Sequence, residues 1–225
     1  ISSQVSANPT NGFSVVTWTG TSSSATIGHG LGVAPSMIIA KCRVTSAVYN
    51  NWGVYHTILG NTKYLELSNS GAAGTGSTWW NNTSPTSSVF SIGTQFSENN
   101  STYVAYCFAA IPGFSAFGSY TGNGSADGPF VFCGFRPRFI LIKNISSAYH
   151  WEIIDTARNP YNLSDALLYP SSYSAEETSA ITNRPFDILS NGMKARSSDS
   201  AINASGSTYI YAAFADVPFK YARGR

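Results

Sequence analysis

The chain has 225 residues and a formal net charge of +2, with 43% hydrophobic, 14% aromatic and only 11% charged residues, the last well below the ~25% usual in soluble domains. Abundant aromatic and aliphatic residues argue against disorder, the small net charge argues against a nucleic-acid binder, and sparse Ala, Glu, Lys and Leu argue against a long helical bundle. The missing charge is replaced by 34 serines, 19 threonines and 17 asparagines, which leaves an all-β protein with a neutral polar surface.

The chain opens Ile1-Ser2-Ser3, without an initiator Met and without a basic segment followed by an apolar one, so no signal peptide is expected. No apolar run approaches ~18 residues, so no membrane insertion is expected. Val15-Val16-Thr17-Trp18 reads as a strand closed by the turn Thr19-Gly20. Gly28-His29-Gly30 contains a Gly-x-Gly, but it runs into a strand rather than a helix and reads as a turn. The apolar runs Met37–Lys41 and Phe139–Lys143 suit strands buried on both faces. Tyr64-Leu65-Glu66-Leu67 alternates as a half-solvated strand should. Residues 71–77 read as a flexible loop. Further turns fall at Asn69-Ser70-Gly71, Thr121–Gly124, Ala126–Gly128 and Ser190–Gly192. A capping box, Ser174 with Glu177, predicts one short helix. Three cysteines, Cys42, Cys107 and Cys133, sit inside apolar runs and predict buried free thiols rather than a disulfide framework.

The chain repeats itself. Trp18-Thr19-Gly20 has its counterpart in Tyr120-Thr121-Gly122, Pro35 in Pro137, and Lys41 in Lys143, each pair 102 residues apart. Gly12-Phe13-Ser14 matches Gly113-Phe114-Ser115, and the segment beginning at Trp52 matches the one beginning at Trp151. Thr102-Tyr103 through Pro112 matches Thr208-Tyr209 through Pro218. The expected architecture is therefore a tandem duplication of β-sandwich units with short turns and few helices, residues 1–111 and 112–225, packed tightly because no Gly/Ser- or Pro-rich linker separates them.

Catalytic patterns are sparse. His29, His56 and His150 share no motif, no Gly-x-Ser-x-Gly elbow is present, and no Cys/His spacing suits zinc, so no cofactor and no metal are expected. A polysaccharide depolymerase would need two carboxylates across a cleft. Asp155 is the best candidate for one of them, against the plainer reading of an Asp155–Arg158 pair. Recognition by contact is better supplied with residues. Saccharides are held by aromatic faces and by Asn, Ser and Thr side chains. Trp79, Trp80, Asn81 and Asn82 form the first candidate platform, in a polar region, although a loop anchored to the core would use the same residues. Tyr49 and Asn50 in the first half and Tyr149 in the second occupy equivalent loops and complete the candidate ligand-binding set.

Gly12-Phe13-Ser14, Ile27 through Pro35, Tyr103 through Ala109, Gly118 through Gly124, Asp155-Thr156-Ala157-Arg158 and Ala213 through Ala222 together resemble a duplicated β domain of tail-fibre and other virion structural proteins of tailed bacteriophages. The resemblance spans about Asn11 to Ala222. It implies a non-enzymatic, receptor-binding virion domain, made in the bacterial host cytoplasm and assembled with other virion proteins. It implies a homotrimer, whose subunits would cover the charge-poor surface, and contact with a host cell-surface glycan or protein. The alternative is a purely structural virion or decoration protein.

Overall fold

The computed structural model describes residues 1–44, 48–178 and 183–216. It divides into two compact units. The first is Ile1–Ser68 with Ala73–Ala110; the second is Ile111 onward, together with Asn69–Ala72. The described residues form 17 strands in four sheets, all paired antiparallel, with two single-turn α-helices. The fold is all-β and sandwich-like, as composition and turn spacing predict.

In the first unit, β1 (Ser3–Asn8), β2 (Phe13–Thr19), β4 (Met37–Cys42), β5 (Gly53–His56), β6 (Lys63–Glu66), β7 (Gly74–Thr75) and β9 (Thr102–Phe108) form one sheet in the order β1-β2-β9-β4-β5-β6-β7. A second, two-stranded sheet pairs β3 (Ala25–Gly28) with β8 (Val89–Ile92). Strict alternation along β2 and β9 sends Val16, Trp18, Tyr103, Ala105 and Cys107 inward. They meet Ile27, Phe90 and Ile92 from the smaller sheet, and the rings of Phe96, Trp79 and Trp80.

The second unit places β10 (Ser115–Thr121), β12 (Pro137–Asn144), β13 (Glu152–Asp155), β14 (Leu167–Leu168) and β17 (Thr208–Ala215) in the order β10-β17-β12-β13-β14. This is the order of β2-β9-β4-β5-β6. The smaller sheet is β11 (Phe130–Phe132), β16 (Gly192–Ala195) and β15 (Phe186–Leu189), in the order β11-β16-β15. The helices are α1 (Ser77–Trp80) and α2 (Ser200–Asn203). The closing strands pair in matching register, Thr19 opposite Thr102 and Thr121 opposite Thr208.

The two turns that follow β2 and β10 are matched as well. Gly20 donates its N–H to Ser101 at 2.8 Å and Gly122 donates to Ser207 at 2.9 Å. A Cβ on Gly20 would lie 2.1 Å from the Glu98 carbonyl oxygen, and one on Gly122 2.2 Å from that of Ala204. Neither position has room for a side chain.

Three expectations need correction. β4 is not buried on both faces: Ile39 and Lys41 are half-buried on the side away from the core, whereas β12 is buried along most of its length. No helix forms at Ser174–Thr178; Glu177 instead bridges to Leu167, and 179–182, like 217–222 of the closing motif, lie outside the described residues. Asp155 does not pair with Arg158. Its carboxylate accepts from the Ala157 N–H at 2.7 Å and faces Arg138 at 3.6 Å. Arg158 turns to Glu176 and to the carbonyls of Ile153 and Ala166.

Candidate functional site

Across the sheet of the first unit, Gln4 lies opposite Thr17, Thr17 opposite Val104, and Thr19 opposite Thr102. Lys41 lies opposite Val104, and just past β4 the Arg43 N–H continues the ladder to the Thr102 carbonyl at 2.7 Å. Side chains alternate between faces. Trp18, Tyr103 and Cys42 therefore point into the core, while Thr17, Thr19, Thr102 and Arg43 stand together on the other side.

Thr17, Thr19, Thr102 and Arg43 line a recess of about 530 Å3, completed by residues 1–4, Gly20, Thr21, Asn99 and Asn100. That volume lies within the ~300–1,000 Å3 range of small-ligand sites. Its wall combines hydroxyl and amide groups, able to donate and accept, with apolar surface from residues such as Ile1. Arg43 is the one charged side chain in it; it is exposed and forms no ion pair among the described residues. Trp18 contributes to the lining but is only 4% exposed, and its indole N–H is fixed on the Phe96 carbonyl at 2.9 Å.

A second hollow of about 260 Å3 is lined by Ser22, Val48, Tyr49, Thr94, Gln95, Ser97 and Glu98. It continues along the two segments that border the first. Glu98 accepts from the Val48 N–H at 3.3 Å there.

The residues picked out by sequence fare unequally. Trp79 and Trp80 are 3% and 1% exposed. Trp79 stacks on Tyr64 at 3.8 Å, and Trp80 meets Tyr55 edge-on at 5.8 Å. Neither offers a free ring face, so the platform reading is corrected to that of a core anchor: one turn of α1 turns both rings inward. Asn81 and Asn82 follow α1 in left-handed conformation, φ 51° and 47°, and are exposed. Tyr49 lines the smaller hollow, half-buried edge-on against Trp79 at 4.7 Å, with its hydroxyl donated to Glu66. Burial and the Glu66 carboxylate push that hydroxyl far above its ordinary pKa. Asn50 is half-buried. Tyr149 packs on the core of the second unit, and its carbonyl receives Lys143 Nζ.

The second unit also holds a partly buried ionic cluster around Glu152. Arg184 donates to Glu152 at 3.0 Å and to Asp199 at 2.9 Å, and Tyr169 donates to Glu177 at 2.5 Å. Glu152 is 1% exposed and its second oxygen has no partner among the described residues. Burial raises its pKa to about 7. Lys143, 0% exposed, is held by the carbonyls of Ser70 and Tyr149, and burial lowers its pKa to about 8. Perturbed groups of this kind accompany catalytic sites but also structural ion-pair networks. The enclosure of Glu152 and Lys143, and Asp199's second role as N-cap to Ala201 of α2, fit the structural role. Among the described residues, no cluster of three or more His, Cys, Asp or Glu could hold a metal ion, and no helix is long and apolar enough to cross a membrane.

Sequence reasoning missed Arg43, Thr19, Thr102, Asn99 and Asn100. Thr19 and Thr102 belong to the repeated motifs, but Arg43, Asn99 and Asn100 belong to none, and the five meet only because β2, β4 and β9 are neighbours.

Comparison with known families matches residues 1–218 to DUF7483, a domain of unknown function. No curated protein and no solved structure matches the chain.

Proposed function

The chain belongs to the DUF7483 family, and we propose that it serves as a non-enzymatic recognition domain of a virion tail fibre, contacting a cell-surface glycan through the first unit. The observation that carries this reading is the recess beside Thr19 and Thr102. It has ligand size, opens to solvent, and carries hydroxyl and amide groups suited to sugar hydroxyls beside one charged side chain, Arg43. The buried Trp79 and Trp80 leave hydrogen bonding rather than ring stacking as the main mode of contact. A homotrimer that covers part of the charge-poor surface, made in a bacterial host and joined to other virion proteins, completes the reading.

The test is binding of the labelled chain to an array of bacterial surface polysaccharides, alongside light scattering for subunit number. Binding is expected, with loss on filling the recess by Thr19→Trp while the circular dichroism spectrum is unchanged. Absence of binding to every polysaccharide would favour a purely architectural virion role. A monomeric mass would remove the trimer.

A further inference from the structure

We infer that the recess of the first unit takes a saccharide bearing an oxyanion, a carboxylate or a sulfate, and that Arg43 is the group that selects it. The inference rests on the glycan reading above and goes further by naming the ligand's charge.

The argument starts from the two strand plans. Arg43 donates its backbone N–H to Thr102 at 2.7 Å; in the second unit Ile145 donates to Thr208 at 3.0 Å. The two residues hold equivalent positions, just past β4 and just past β12 and opposite the first residue of the closing strand. The framework is therefore satisfied by an aliphatic residue there, and the backbone does not require a cation.

Arg43 is nevertheless exposed, without an ion pair among the described residues, on the wall of a recess whose other side chains are uncharged. The carboxylate of the adjoining hollow, Glu98, is engaged by the Val48 N–H instead. Two residues back on the same strand face, Lys41 Nζ lies 5.0 Å over the Trp52 ring. A second positive charge thus stands on that side, and among the described residues no acidic side chain lines the recess.

A guanidinium presents a planar fork that pairs with two oxygens of a carboxylate or sulfate, while the surrounding threonines and asparagines remain for ring hydroxyls. The second unit lacks this arrangement. Its equivalent turn is tied internally, with the Asn123 N–H on Asn203 Oδ1 at 2.8 Å and Asn203 Nδ2 on Asn123 Oδ1 at 2.9 Å. Among the described residues it also has no counterpart of β1 beside β10. Nucleic-acid phosphate is a poor alternative, because one arginine and a net charge of +2 give little counterion release.

The experiment is isothermal titration of the intact chain with three oligosaccharides of equal length: oligogalacturonate, a sulfated galactose oligomer and the neutral galactose oligomer. Titrations are run at low salt and at 0.3 M NaCl. At least one anionic oligomer is expected to bind about tenfold more tightly than the neutral one at low salt, with the advantage shrinking at high salt. Arg43→Gln should remove the advantage, so that charged and neutral oligomers bind with equal affinity. Thr19→Glu, which sets a carboxylate on the same wall, should reverse the preference. Which anion wins distinguishes carboxylate from sulfate. Equal affinity for charged and neutral oligomers, or an advantage that survives Arg43→Gln, overturns the inference and leaves the glycan reading standing. No binding of any oligomer overturns the inference, and a polysaccharide array without binding overturns the glycan reading as well.

Discussion

Trp18 and Tyr120 perform the same task in the two units. Trp18 stacks on Tyr103 at 5.4 Å and donates to the Phe96 carbonyl at 2.9 Å. Tyr120 stacks on Tyr209 at 4.8 Å and donates to the Ile202 carbonyl at 2.8 Å. Each ring ties an early strand to the short helical turn that precedes the closing strand. Tyr120→Phe keeps the stack and loses the donor, so the second unit should lose about 1–3 kcal/mol in urea unfolding. Trp18→Phe loses the donor and part of the ring volume, and should cost the first unit about 2–4 kcal/mol. Wild-type stability in either variant would show that these bonds carry no net weight.

Trp79→Ala and Trp80→Ala should behave as core mutations. Each removes a buried ring from the first unit and is expected to cost about 3–5 kcal/mol. Thermal denaturation should therefore shift before any binding measurement is interpretable. Asn81→Gly and Asn82→Gly, which suit the left-handed backbone at these exposed positions, should leave the melting temperature within a few degrees of wild type. An unshifted melt for both tryptophan variants would mean that the rings are not packed as described.

Glu152 gives the second unit a definite pH signature. Burial, the main cause, raises its pKa from 4.5 to about 7. The folded state then binds more protons than the unfolded state between those values, so this group's contribution to stability falls as pH rises through that window and levels off above it. Glu152→Gln retains an oxygen for Arg184 and cannot titrate. The difference in unfolding free energy, variant minus wild type, should climb from pH 4.5 to about 7 and then stay flat. Lys143 has the opposite sign. Its pKa is lowered from 10.5 to about 8, so its contribution improves as pH rises between about 8 and 10.5. A difference curve for Glu152→Gln that does not change with pH would contradict the burial of an ionisable carboxyl there.

The three thiols should be silent in the native protein. Cys42, Cys107 and Cys133 are buried and free, and burial pushes the pKa of Cys107 and Cys133 up to about 12. A thiolate is required for attack on an aromatic disulfide reagent. No thiol should react within minutes at pH 8, and three should react in guanidinium. Rapid native reaction of one thiol would locate an opening of the core at that cysteine.

Some of the site was within reach of sequence and some was not. Lys143 and Glu152 could have been flagged as single charges inside the apolar strands Phe139–Lys143 and Glu152–Ile154. Arg43 could have been noticed where the repeat substitutes Ile145. Of the two readings open for the tryptophans, the platform fails and the core anchor holds for a physical reason. Adjacent residues in an extended loop face opposite ways, but residues 77–80 close one helical turn, and on a turn neighbouring rings can both enter the core.

By itself the sequence determined the all-β class, the alternation along β2 and β9, the burial of the thiols and the register in which Trp18-Thr19-Gly20 recurs as Tyr120-Thr121-Gly122. All of these depend on spacing along the chain, and a strand's period of two is written into its residues. The tertiary structure decided which polar residues face one another. Thr19, Arg43 and Asn100 become one wall because β9 inserts between β2 and β4, and no local pattern encodes a pairing between strands that far apart in the chain.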